Sequence, residues 1–301
     1  MRGKAEWRAS LSAMAAMAGV GLVSGREMVL FFTQTKAAAW VGMLTACLLF
    51  GVLTAFLAGQ GELCRGRSPL ALTCETLRLL LAALVAAFML TRLGTLGALT
   101  LPMHHGFLFG ALFGLIAAMI LLWTRGGEMA GLVVVLALSA FYTASALDDR
   151  PARINLRGTA VFALADSVPG SLMLAAAYAA LTACAAAWSL RRTCPGTVRA
   201  AAVGMRCAAM LACALVPGCA ALLRAGDMVM AQPMPWVVLS ARWGLVGFWL
   251  CASLQAVCSV STLSAALGLL TSRLRSDRRP LATYMLVGGT AVFCVLSFGR
   301  F

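Results

Sequence analysis

Residues 19–27 read GVGLVSGRE, and their composition is at odds with their place in the chain. They interrupt an apolar run that extends from Ala9 to Phe32, where a continuous hydrophobic helix is expected. Gly19, Gly21 and Gly25 fall within seven residues, and glycine is poor in a helix interior because its backbone has the most freedom to lose. Unwinding frees carbonyl and N–H groups, which hydrocarbon tolerates only where they line a buried cavity or bind something. The stretch therefore predicts a discontinuous first helix, of the kind whose unwound carbonyls and half-helix ends hold solutes and ions. The same glycines also suit close helix packing, since Gly21 and Gly25 form a GxxxG pair. Arg26 and Glu27 favour the discontinuous reading, because ionisable side chains within a span are costly and are functional candidates by default.

The rest of the chain makes this a membrane problem. Of 301 residues, 62% are hydrophobic and 11% charged, and the charges cluster between long apolar runs, as in a polytopic membrane protein. The 24 basic against 10 acidic residues give a net charge of +14. Most of the basic residues sit in short loops, which fits the positive-inside rule and does not point to a nucleic-acid partner. The 11 cysteines form no CxxC pair and fall mostly in apolar runs, so neither a disulfide nor a metal site is expected.

With about 20 apolar residues per crossing, nine spans are expected, near 9–34, 37–59, 71–92, 106–124, 128–147, 168–190, 199–224, 242–271 and 281–299. The basic, then apolar, start resembles a signal peptide, but the apolar run continues and further spans follow, so it reads as a retained first span. A cytoplasmic amino terminus places thirteen Lys and Arg residues inside and eight outside, the latter being Lys36, Arg92, Arg150, Arg153, Arg157, Arg224, Arg242 and Arg300. DDRPARINLR at 148–157 is the exception to that pattern. Residues 226–241, with Pro233, Pro235 and Trp236, read as an outer hairpin or interfacial segment.

Other groups carry weaker signals. Gly106, Gly110 and Gly114 repeat along one helix face and read as a packing surface. Glu75 and Arg78 lie three apart and are able to pair, whereas Arg206 sits near an inner span end, where a long side chain snorkels. Asp166 followed by SVPGS (167–171) is either a second helix interruption, five spans after the first, or an ordinary loop end. Ser259, Ser261, Thr262 and Ser264 place hydroxyls deep in the eighth span, for back-bonding to the helix or for a hard cation. His104 and His105 lack a third metal ligand, and no nucleophile elbow, P-loop or HExxH pattern is present, so no enzymatic activity is expected.

The run GVGLVSGREMVLFF resembles the GxGFxSGxExxxFF signature that opens the YkvI-type bacterial membrane proteins, relatives of the amino acid–polyamine–cation transporters. The agreement covers Gly19, Gly21, Ser24, Gly25, Glu27, Phe31 and Phe32, and GDMVMAQPMPWVVLSARWG resembles the family's proline-containing segment before span eight. The resemblance implies an all-α, LeuT-like bundle of two inverted five-helix repeats, here 1–147 and a truncated 148–301, within a single transmembrane domain. It further implies substrate contacts at Gly19, Gly21, Ser24, Gly25, Arg26, Glu27 and Tyr178. A cation site would involve Val20, Val23, Ser261 and Thr262. Three departures stand out: Arg26 replaces a neutral amide, Tyr178-Ala-Ala-Leu181 lacks the family's Asn, and nine spans are found where ten are usual.

The expectation is a secondary transporter of an amino acid or amine in the bacterial inner membrane, with a small-molecule substrate, no cofactor, and sodium or a proton as coupling ion. Arg26 would stand in for a cation or attract a carboxylate, and Glu27 would take an amine or proton. A nutrient-sensing receptor subunit with a partner, or a non-transporting scaffold, are the alternatives.

Overall fold

The computed structural model describes residues 2–33, 38–59, 69–101, 105–124, 127–148, 167–193, 199–232 and 234–271. The expected ninth span, His104, Asp166, most of DDRPARINLR and the side chains of Glu75 and Arg78 lie outside the described residues.

The described chain is helical throughout. It runs α1 (Arg2–Gly21), α2 (Arg26–Phe31), α3 (Ala39–Gly59), α4 (Pro69–Thr100), α5 (Gly106–Thr124), α6 (Gly127–Leu147), α7 (Val168–Thr193) and α8 (Ala200–Ala225). Two short helices, α9 (Asp227–Met230) and α10 (Pro235–Ser240), and a 3-10 turn (Ala241–Trp243) then lead into α11 (Gly244–Thr271). Among the described residues, five stretches are long and apolar enough to cross a bilayer: Ala39–Gly59, Leu79–Thr100, Val168–Ala187, Ala200–Ala225 and Pro235–Thr271. The outward faces agree with that. Leu44, Leu48, Val52 and Phe56 form an exposed stripe at four-residue spacing on α3, and Phe113, Ile116 and Ile120 form one at three- and four-residue spacing on α5. In water such stripes would be aggregation surfaces, whereas in lipid they meet their natural solvent. The chain is a polytopic helical membrane protein.

Helix α1 occupies the middle of the bundle and packs on α6, α7, α8 and α11. Around it, α3 packs on α7 and α8, and α4 packs on α5 and α11. Hydrophobic burial does not drive helices together in lipid, so close backbone approach has to. At the α3–α8 crossing a Cβ on Gly51 would stand 3.0 Å from the Gly204 carbonyl oxygen, and at the α4–α5 crossing one on Gly110 would stand 2.7 Å from the Gly97 Cα. The glycine repeat of α5 is thus a packing face, as expected.

Two expectations need correction, and the SVPGS stretch takes one of its two open readings. Helix α4 does not stop near 92 but continues to Thr100, so Arg92 is not an outer-segment charge: it lies inside the bundle, 8% exposed. In the segment 226–241 two short helices do turn back before α11, but Trp236 is not an interfacial anchor: it is fully buried in the main core beside Tyr142 and Phe141. SVPGS does not interrupt a helix among the described residues. The Ser167 hydroxyl accepts the Gly170 N–H at 3.3 Å and Pro169 sits in the first turn, both features of a helix start.

Candidate functional site: the break in the first helix

The first helix ends at Gly21 and resumes at Arg26, leaving Leu22–Gly25 outside any helix in the buried interior, with the Leu22 N–H still bonded to the Ala18 carbonyl and the Gly25 carbonyl accepting the Val29 N–H, each at 3.0 Å. Gly25 makes the turn at φ 80°, a left-handed conformation that costs a residue with a Cβ about 1–2 kcal/mol. Ser24 organises the restart: its Oγ accepts the Arg26 N–H at 3.0 Å and donates to Glu27 Oε2 at 2.6 Å.

Several backbone groups at the break are met by side chains or backbone of other helices. Arg92 Nη1, from α4, donates to the Gly19 carbonyl at 2.7 Å. The Tyr142 hydroxyl, from α6, donates to the Leu22 carbonyl at 2.6 Å, and the Tyr178 hydroxyl, from α7, to the Gly21 carbonyl at 3.1 Å. The Gly19 N–H donates to Thr262 Oγ1, from α11, at 2.9 Å. The Trp236 N–H of α10 approaches the Ser24 carbonyl at 3.5 Å. Side chains of four helices thus satisfy the Gly19, Gly21 and Leu22 carbonyls and the Gly19 N–H.

The charges are arranged differently from the adjacent pair in the sequence. Neighbours in a helix point apart, so Arg26 cannot serve Glu27. Arg26 is half-buried at the start of α2, and Glu27, 5% exposed, forms its ion pair with Arg92. The Arg92 guanidinium also lies 4.3 Å from the centre of the Phe88 ring, a cation–π contact.

Of the other residues named from sequence, Tyr178 is fully buried and stands against Phe31 and Phe32, with ring centres 5.5 and 4.9 Å away. Thr262 touches the break directly, and Ser261 is buried next to it on α11. Val20 and Val23 are buried, with the Val20 side chain in a second apolar cluster formed with α4, α5 and α11. Between α4, α7 and α11 lies an apolar cleft of about 20 Å³, lined by Val85, Leu181, Cys184, Ala266 and Thr262 among others.

Three residues at the site were missed. Arg92 had been counted as a topology signal, Tyr142 sits in an unremarkable FYTAS run, and Trp236 read as an interfacial anchor. Arg92 alone left a trace, as a charge flanked by apolar residues on both sides (FMLTRLGTLG).

No family model matches the chain, and no curated protein matches it in sequence. A solved structure does: the crystal structure of a mutant of the Eremococcus coleocola manganese transporter has a TM-score of 0.60 to this chain at 15% identity, covering 98% of this chain and 70% of that one. The likeness is one of fold: the present chain shares the helical architecture of that structure.

Proposed function

We propose that the protein is a secondary transporter that moves a small solute by alternating access around the break in its first helix. One observation carries the reading: a buried helix interruption whose freed groups are held by side chains from α4, α6, α7 and α11. Four helices meet there, so a shift of any of them would re-expose backbone groups that a solute can bind. The fold neighbour, itself a transporter, supports the same reading.

The architecture we favour is LeuT-like, with inverted repeats over 1–147 and 148–301, as in the YkvI-type proteins and the amino acid–polyamine–cation transporters. Helix pairing supports this: α1 meets α7, α3 meets α8 and α4 meets α11, each pair joining corresponding positions of the two halves. The solute class we favour is an amino acid or amine, with sodium or a proton as coupling ion, in a bacterial inner membrane with the amino terminus in the cytoplasm. Gly19, Gly21, Ser24, Gly25, Glu27 and Tyr178 form the binding centre, with Arg26 at its rim. The sealed geometry corresponds to a state between openings.

The test is uptake of radiolabelled amino acids and amines by proteoliposomes holding the purified chain. It is paired with thiol labelling of single cysteines placed at positions 22–25 in a background without native cysteines. Carrier function requires saturable uptake and labelling that changes with solute. Binding without uptake would instead indicate a receptor, and permanent protection of all four positions without uptake a scaffold.

A further inference from the structure

We infer that the cleft between α4, α7 and α11 is a binding site for the end of a membrane lipid's acyl chain, seated behind the threonine that holds the Gly19 N–H. The inference goes beyond the carrier reading and does not depend on what the protein moves.

The cleft is graded from lipid inward. Leu81, Leu181 and Ala265 at its mouth are half-buried, whereas Val85, Thr262 and Ala266 at its floor are buried. Leu80 and Leu84, beside the mouth on α4, are exposed, so the cleft continues the outward face of that helix. Its three walls belong to the membrane-crossing stretches Leu79–Thr100, Val168–Ala187 and Pro235–Thr271. What meets the mouth at that depth is hydrocarbon.

The chemistry of the lining selects the same occupant. The cleft holds about 20 Å³, room for about one water molecule or one methyl group. A buried water needs about two to four polar partners, and the side chains of the lining offer the Thr262 hydroxyl and the Cys184 thiol. The Thr262 oxygen already accepts the Gly19 N–H at 2.9 Å, and a thiol is a weak partner. All the other lining residues are Leu, Val and Ala. Left empty, the cleft would forfeit the dispersion contacts of that lining, whereas a methyl group entering from lipid restores them and leaves no water behind.

Depth selects the end of the chain. Each leaflet covers half of a hydrocarbon core of about 30 Å, so the terminal methyl groups of its chains meet near the middle of the membrane. The floor of the cleft lies there too, since Thr262 bonds Gly19 near the centre of the apolar run from Ala9 to Phe32. From Thr262 the α11 wall follows one helix face through Ala265 and Ala266 to Leu269, about 10 Å at about 1.5 Å per residue. The cleft therefore runs along the helix, as an acyl chain does.

The test places the full chain in phosphatidylcholine nanodiscs doped with a phosphatidylcholine that carries a diazirine at the terminal carbon of one acyl chain. After illumination, labelled residues are located by mass spectrometry of peptides. The expected result is labelling at the floor residues Val85, Thr262 or Ala266 as well as at the exposed Leu80 and Leu84, with none at Met43 and Ala214, which are buried elsewhere in the bundle. Ala185→Leu, which fills the cleft from α7, is expected to abolish floor labelling while Leu80 and Leu84 stay labelled. Ala265→Leu fills it from α11 and serves if Ala185→Leu does not fold. A floor that stays unlabelled in the native protein would mean that water, a void or another segment of the chain occupies the cleft, and would overturn the inference. Floor labelling that persists in the filled variants would overturn it as well, because the probe would then arrive by another route.

Discussion

Tyr142 and Trp236 lie stacked, with ring centres 4.3 Å apart and planes 21° from parallel, and the same Tyr142 donates its hydroxyl to the Leu22 carbonyl. One side chain of α6 therefore fastens both the break in the first helix and the α10 turn that covers it. Tyr142→Phe keeps the stack and removes the bond, leaving a buried carbonyl without a donor. The expected cost is about 1–3 kcal/mol in equilibrium unfolding of the purified protein. A change too small to measure would show that another donor reaches Leu22.

The Arg92–Glu27 pair is enclosed by apolar helices, so losing one partner strands the other. Arg92→Met is expected to destabilise by about 3–5 kcal/mol. Adding Glu27→Gln neutralises the stranded carboxylate, so the double variant should be more stable than Arg92→Met alone. Strict additivity of the two substitutions in unfolding experiments would mean that the pair is not coupled.

Gly25 and Gly226 both have positive φ, 80° and 85°, but only Gly25 is crowded. An added Cβ at Gly25 would sit 2.8 Å from Trp236 Cδ1, whereas nothing lies within 4 Å of one at Gly226. Gly226, at ψ 171°, lies in a region essentially reserved for glycine, so Gly226→Ala should cost backbone strain alone, about 1–3 kcal/mol, whereas Gly25→Ala should add a clash with the Trp236 ring to its left-handed strain. Trp236→Ala should remove the excess at Gly25, and comparison of the melting temperatures of the four proteins reads this out.

A second ion pair joins Glu6 of α1 to Arg206 of α8 at 2.9 Å, with Arg206 also over the Trp7 ring at 5.0 Å. The Arg206 side chain is 26% exposed and that of Glu6 8%, so the two removals are not equivalent. Glu6→Gln leaves an arginine that water reaches and should cost less than about 1 kcal/mol. Arg206→Ala leaves a buried carboxylate and should cost more. The reverse order in thermal unfolding would place the desolvated partner on α8.

Legibility in the sequence followed the range of the forces involved. Span positions were readable because crossing lipid demands long apolar runs, and six of the eight expected spans within the described residues match helices closely. The first helix begins at Arg2, not at Ala9, and the span at 71–92 was cut short at Arg92, where an unpaired charge reads as a boundary. Its partner Glu27 is 65 residues away in the chain, and no local pattern announces the pairing. Trp236 was misplaced for a similar reason, because a Trp beside prolines ordinarily marks a lipid headgroup region.

What the sequence determined by itself was that the chain crosses a membrane repeatedly and that its first helix fails near Gly21 and Gly25, since apolar length and local glycine content are properties of short stretches. Only the tertiary structure decided what fills the interruption. Arg92, Tyr142, Tyr178 and Thr262 come from four helices spread over 171 positions, from 92 to 262. Hydrogen bonds act over about 3 Å, so their partners are fixed by how the helices pack and not by their order in the chain.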